Sequence, residues 1–399
     1  MTTARESLID ATQPGTYHCI SRCVRRAFLC GDGWDHRKAW IEERIAFLGQ
    51  RFAVEVMAYA VMSNHLHVVI RTRPDLAAAW SADEIARRWA DCYPRRDSSG
   101  EALEHDEGVL EGWAANPQWV ETHRARLASL SWMHKLIKEP LARMANGEDG
   151  CTGAFWEGRL LLRGFAPTAL RAIPPGFVGL RVSWLRHCTR LDIASRSYAE
   201  TSPRRQKSIA LLDQAAVIAC MAYVDLNPIR ARIASTPEES HHTSIAARIT
   251  ARQDFRKAES LRRARQPIPA ELQSATDPEV HCWLTSLWHC SPRPTPAGLP
   301  EAVDAISLDE YLELVDATGR CLASGKRGAI PAHLQPILKR LDISVDRWLI
   351  SVCGIGFVLG TAIGSAAARA TEALRRGGRW IVDKARLYRQ GPAPNGSSG

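Results

Sequence analysis

A mixed α/β sandwich is the fold class this sequence predicts, and three observations predict it. Short runs of alternating apolar and polar residues lie near the amino terminus, a helical repeat separates the first from the next two, and a strongly helical run follows far downstream. With 399 residues and 45% hydrophobic content, the chain has material for a sizeable core in one large or two ordinary domains. The formal net charge of +9, carried more by arginine than by lysine, makes nucleic acid the leading partner class. Eleven cysteines form no Cys-x-x-Cys pair, which argues against a disulfide framework or a zinc ribbon and for a reducing compartment. The segment Met1 to Ser7 is charged and lacks the apolar core of a secretory signal, so a cytoplasmic location is expected. Trp348 to Ala368 carries no charge, but its many small residues favour a buried helix or helix pair over a membrane span.

Pro14-Gly15 opens a first strand over Thr16 to Val24, with Arg22, Arg25 and Arg26 placing positive charge at its end. From His36 to Arg51 the apolar residues Trp40, Ile41, Ile45 and Leu48 recur at helical spacing. Ala53 to Met62 and His65 to Arg71 then read as two strands joined tightly at Ser63-Asn64, and Arg73-Pro74 ends the second. This β-α-β-β order is the first part of a ferredoxin-like antiparallel-sheet sandwich. Ser81 starts a helix, and Gln118 to Glu139 reads as a longer basic helix that Pro140 ends or kinks. Phe155-Trp156-Glu157-Gly158-Arg159 is the candidate fourth strand, with Arg159 at its end. Leu160 to Gln206, rich in arginine and free of lysine, reads as an insert. Ser208 to Leu226 returns to helical patterning through Ile209, Leu212, Ala216, Ala219 and Tyr223, and Asn227-Pro228 closes it. A first domain over residues 1–245 is expected to precede a helical basic extension over 246–390 and a disordered tail over 391–399. The extension's helices are placed at Arg252 to Arg265, Asp304 to Thr318 and Leu334 to Leu349, followed by a basic, aromatic-containing end at Arg375 to Trp380.

The chemistry centres on His65-Leu66-His67. On a strand, side chains alternate faces, so His65 and His67 project the same way, as two ligands of one metal would, although the spacing also occurs on ordinary strand faces. Tyr223 and Asn227 lie four apart on one helix face. If that face meets the histidines, His65, His67 and the Asn227 amide oxygen form a ligand set for Mg²⁺ or Mn²⁺, and the ion would let the Tyr223 hydroxyl attack a phosphodiester.

Val61-Met62-Ser63-Asn64-His65-Leu66-His67-Val68-Val69 resembles the His-hydrophobic-His motif of single-tyrosine HUH transposases. Ala222-Tyr223-Val224-Asp225-Leu226-Asn227-Pro228-Ile229-Arg230-Ala231 resembles the tyrosine-helix signature of their REP-associated branch. Tyr17-His18 to Arg22 precedes the two motifs and Phe155 to Arg159 lies between them, so the resemblance spans roughly Gly15 to Ile245. It implies an HUH-type ferredoxin-like core that binds single-stranded or hairpin DNA, REP-like palindromes in particular, and cleaves it to leave a 5′-phosphotyrosine and a free 3′-hydroxyl. By the same resemblance Tyr223 is the nucleophile, and His65, His67 and Asn227 are ligands of Mg²⁺ or Mn²⁺. Arg22, Arg25, Arg26, Arg159 and Arg230 are the candidate DNA contacts. The insert departs from the family, where the aromatic segment runs almost directly into the tyrosine helix. Two rivals stand beside the nickase: a DNA-binding protein whose insert disables the site, and a metal hydrolase, for which Asp75 is the only nearby acid in sequence.

Overall fold

Alternation in Gly15–Arg22 (β1) sends Tyr17 and Cys19 to one face and His18, Ile20 and Arg22 to the other, and the rest of the fold closes both faces. The computed structural model describes residues 9–31, 33–157, 207–275, 283–285, 287, 306–322, 333, 335, 345–355, 362–378 and 380–381. The expected insert over Leu160 to Gln206, Arg159 and the tail over 391–399 lie outside the described residues.

After β1 come His36–Gly49 (α1), Val54–Val61 (β2) and His65–Thr72 (β3), each within a few residues of its expected bounds. Met62 N donates to His65 O at 2.8 Å and closes the Ser63-Asn64 turn. Pro74–Ala79 (α2) and Ala82–Cys92 (α3) follow; the Ser81 hydroxyl caps α3 by accepting from Glu84 N at 3.1 Å. A small hairpin, Arg95–Arg96 (β4) with Ala102–Leu103 (β5), leads into Glu107–Ala114 (α4).

The single basic helix expected over Gln118 to Glu139 is two helices, Pro117–Leu127 (α5) and Leu130–Glu148 (α6). Pro140 does not end α6. A proline lacks the N–H that would bond the carbonyl four residues back, and here the freed Leu136 carbonyl accepts from Arg44 Nε of α1 at 3.1 Å.

Phe155 to Arg159 is not the fourth strand. Its described part makes one antiparallel bridge, Trp156 to Cys23, with Val24 N to Phe155 O at 3.0 Å and Glu157 N to Arg22 O at 2.7 Å, so it caps the end of β1. The strand beside β1 is Lys207–Leu211 (β6), within the segment expected to begin the tyrosine helix. That helix starts later, at Gln214–Asp225 (α7), followed by the short Asn227–Arg230 (α8) and Ser244–Arg263 (α9). Leu308–Leu322 (α10), Val345–Gly354 (α11), Ala362–Ile363 (β7) and Ala366–Arg375 (α12) complete the described chain. Within Trp348 to Ala368 the described residues hold the end of α11, the strand β7 and the start of α12. No helix among the described residues is long and apolar enough to cross a membrane.

The sheet order is β2-β3-β1-β6-β7. The first four strands pair antiparallel and β7 runs parallel to β6, so the sheet is mixed rather than purely antiparallel. One face packs Tyr17, Leu66, Val68 and Ile70 against Ile41, Ile45, Met133 and Ile137 of α1 and α6. The other packs Val69 and Leu211 against α7, which in turn lies under Tyr311, Leu314 and Trp348 of the extension. Thr243 bridges Ala60, and Val61 N donates to His242 O at 3.0 Å, which covers the outer edge of β2.

Candidate functional site

Register fixes the site. Arg22 pairs with His65 and Ile20 with His67 across β1 and β3, so Arg22, His65, His67 and His18 share the face that meets α7. The ring of His67 lies 4.8 Å from that of His65 and stacks on that of His18 at 5.1 Å, centroid to centroid. His18 Nε2 and His67 Nδ1 share a hydrogen bond of 2.9 Å, and His65 Nδ1 meets Asn64 Oδ1 at 2.6 Å. Among the described residues no hydrogen bond engages Nε2 of His65 or of His67.

Helix α7 delivers Tyr223 to this face. Ala216 to Asp225 are buried on all sides of the helix, as befits a helix enclosed between a sheet and further helices. Its first turn is capped by Asp213, which accepts from Ala216 N at 2.8 Å and from Ser365 N at the end of the extension's strand. Its last turn is held by Asp225, which accepts from Ile245 N at 3.0 Å, from Tyr311 Oη at 2.6 Å and from the Ser244 hydroxyl. Burial pushes the Asp225 carboxyl up to about 6 against these donors. Between the two anchors, the Tyr223 ring stands edge-on to His67 at 5.7 Å and to His18 at 5.9 Å.

Charge around the tyrosine is positive. The Arg230 guanidinium lies 5.0 Å over the Tyr223 ring and also donates to Val352 O of α11 at 3.4 Å. Burial raises the Tyr223 pKa above its ordinary value, opposed by Arg230 and Arg22. Burial lowers His18 to about 3; burial first and then Arg22 and Arg26 lower His65 to about 4. Burial, with its histidine and arginine neighbours, holds His67 well below 6.5, so all three rings are neutral at pH 7 with lone pairs available.

The residues expected from sequence separate as follows. His65, His67, Tyr223, Arg22 and Arg230 come together, and Asn227 is tied to the backbone of Tyr223 one turn earlier. Arg26 is close enough to act on His65, while Arg25 is exposed beside it; both hold left-handed backbone, at φ 55° and 56°, uncommon for residues with a Cβ. Arg159 lies outside the described residues. Asn227 Nδ2 donates to Tyr223 O at 3.1 Å and Val224 O at 3.4 Å, so Oδ1 is the amide atom that accepts. Among the described residues no group of three or more His, Cys, Asp or Glu side chains forms a metal site. No protein-family model, curated protein or solved structure matches the chain.

Sequence reasoning gave no role to His18, Asn64, Asp225 or Tyr311. Asn64 and Asp225 sit inside the two motifs and His18 in the segment that precedes them, and their hydrogen bonds depend on tertiary packing and turn geometry. Tyr311 lies 86 positions from Asp225, with no local signal joining them.

Proposed function

We propose that this chain is a metal-dependent tyrosine nickase and strand transferase acting on single-stranded or hairpin DNA, built on a ferredoxin-like HUH scaffold. The observation that carries the reading is the meeting of two sequence-distant motifs: the Tyr223 ring stands 5.7 Å from His67, under the Arg230 guanidinium. The antiparallel order β2-β3-β1-β6, with α1 between β1 and β2 and α6 before β6, supports the scaffold. The cationic side chains Arg22, Arg26 and Arg230 suit a phosphodiester.

Two neutral imidazoles and an amide oxygen fit one divalent cation, and this mixed nitrogen and oxygen set suits Mn²⁺ better than Mg²⁺, which favours oxygen alone. When bound, the ion supplies Lewis-acid stabilisation of charge on the phosphate oxygens. The Tyr223 oxygen attacks phosphorus, the P–O3′ bond breaks, the 5′ phosphate stays on the tyrosine and the 3′ oxygen leaves as a hydroxyl on taking a proton. Arg230 and Arg22 favour the phenolate against the effect of burial. A second strand's 3′-hydroxyl reverses the step, so rejoining needs no nucleotide.

The test is denaturant-resistant capture of a labelled hairpin drawn from repeats flanking the gene, in Mn²⁺. Capture is expected with the native chain, absent in EDTA, and reduced at least about a thousandfold by Tyr223→Phe, with DNA affinity retained. Binding without capture across several hairpins would instead support a DNA-binding protein without catalysis. Capture undiminished in Tyr223→Phe would contradict the role of the tyrosine.

A further inference from the structure

The two histidines of the motif are held in different ways. At His67 the partner is another imidazole, His18, whose Nε2 either donates or accepts across the 2.9 Å contact. His18 Nδ1 is buried without a hydrogen-bond partner in either arrangement, so its pocket selects neither tautomer. At His65 the partner is an amide. Asn64 Nδ2 donates to Arg26 O at 3.3 Å, which fixes the amide's orientation and turns Oδ1 toward His65 Nδ1 at 2.6 Å. A carbonyl oxygen only accepts, so the proton of neutral His65 must sit on Nδ1 and its lone pair on Nε2.

We propose that Asn64 is a positioning residue that locks His65 in the Nδ1–H tautomer, so that its Nε2 lone pair is presented before a divalent cation arrives. This rests on the metal-site reading above. The same side chain ties the arginine turn to the histidine strand, since its Nδ2 holds the Arg26 carbonyl. At His67 neither tautomer is selected until a cation takes Nε2, which would fix the proton on Nδ1 with His18 Nε2 accepting. Thus His65 is preset and His67 responds. An outer hydrogen bond of this kind typically changes metal affinity by about 10- to 100-fold.

Two measurements on the full chain test this. Nitrogen-15 NMR of the histidine rings reads the tautomers without metal, with His65→Gln and His67→Gln assigning the signals. His65 is expected wholly Nδ1–H in the native protein and in Asn64→Asp, which keeps the acceptor, and mixed in Asn64→Leu. Mn²⁺ titration by electron paramagnetic resonance should give a dissociation constant raised about 10- to 100-fold in Asn64→Leu. Asn64→Asp should bind at least as tightly as the native chain, which separates the acceptor role from the tie to Arg26. If the native protein binds Mn²⁺ and Asn64→Leu binds it equally well, or if native His65 carries its proton on Nε2, the tautomer lock is overturned and the metal reading stands. If the native protein binds no Mn²⁺, the metal reading fails and the proposal with it.

Discussion

The two faces of the sheet bury comparable apolar layers but are closed by different parts of the chain. The face under α1 and α6 is built mainly from neighbouring sequence, and its polar interior is self-contained. Arg37 of α1 bonds Glu148 Oε2 at 2.8 Å, Leu29 O at 3.0 Å and Asp149, joining the start of α1 to the end of α6. The face under α7 is closed by residues far downstream, and its polar interior gathers neutral imidazoles, a buried tyrosine and arginines. Each face even buries a histidine. His134 on α6 has neither ring nitrogen bonded, whereas His18 reaches His67. Burial of a histidine is thus packing on one face and part of a site on the other, and the partners make the difference.

The largest expected effect on stability lies on the face under α1 and α6. Arg37→Ala should cost about 3 kcal/mol in urea unfolding, the low end for breaking a buried ion pair, because Glu148 and Asp149 keep some solvent. The folded variant should still capture DNA; a cost below about 1 kcal/mol would show that α1 and α6 do not depend on this tie.

On the other face, Tyr311→Phe removes a 2.6 Å hydrogen bond to the buried Asp225 and should cost about 2 kcal/mol. Amide exchange should quicken across residues 214–225 and stay unchanged in α6. Uniform quickening would mean that the extension supports the whole fold rather than the tyrosine helix.

An effect of comparable size depends on pH. Burial, helped by Lys138, lowers His134 to about 3, below the ordinary 6.5 of the unfolded chain. The unfolded chain therefore takes up this proton first as pH falls. Stability present above pH 6.5 is lost progressively below it, by about 2 kcal/mol from this group at pH 5. His134→Leu should flatten that slope; an unchanged slope would assign the acid loss to other groups.

Much of the first half was legible because its strands alternate and its helices repeat in unbroken runs, with Ser81 and Pro74 marking ends. The tyrosine helix was legible in kind but not in extent. Ile209 and Leu212 continue the helical spacing of Ala216 and Ala219, and a short buried strand leading into an apolar helix has no periodicity of its own. Asp213, the residue that caps α7, was the readable boundary. Pro140 misled because the partner that satisfies its missing bond, Arg44, lies on another helix. The motifs name His65, His67, Tyr223 and Asn227 of the candidate site, but the His18–His67 pairing exists only once β1 and β3 are in register, and Asn64 meets Arg26 only once the turn after β1 has formed.

The most direct measurement maps the covalent bond itself. Trapped protein–DNA adduct is digested with nuclease and protease, and the residual 5′-phosphonucleotide is located by tandem mass spectrometry. The mass is predicted on the peptide containing Tyr223, and on no peptide containing Tyr17, Tyr59 or Tyr311. A nucleotide on any other tyrosine, or on a residue other than tyrosine, would contradict the assignment of Tyr223 and the site built around it.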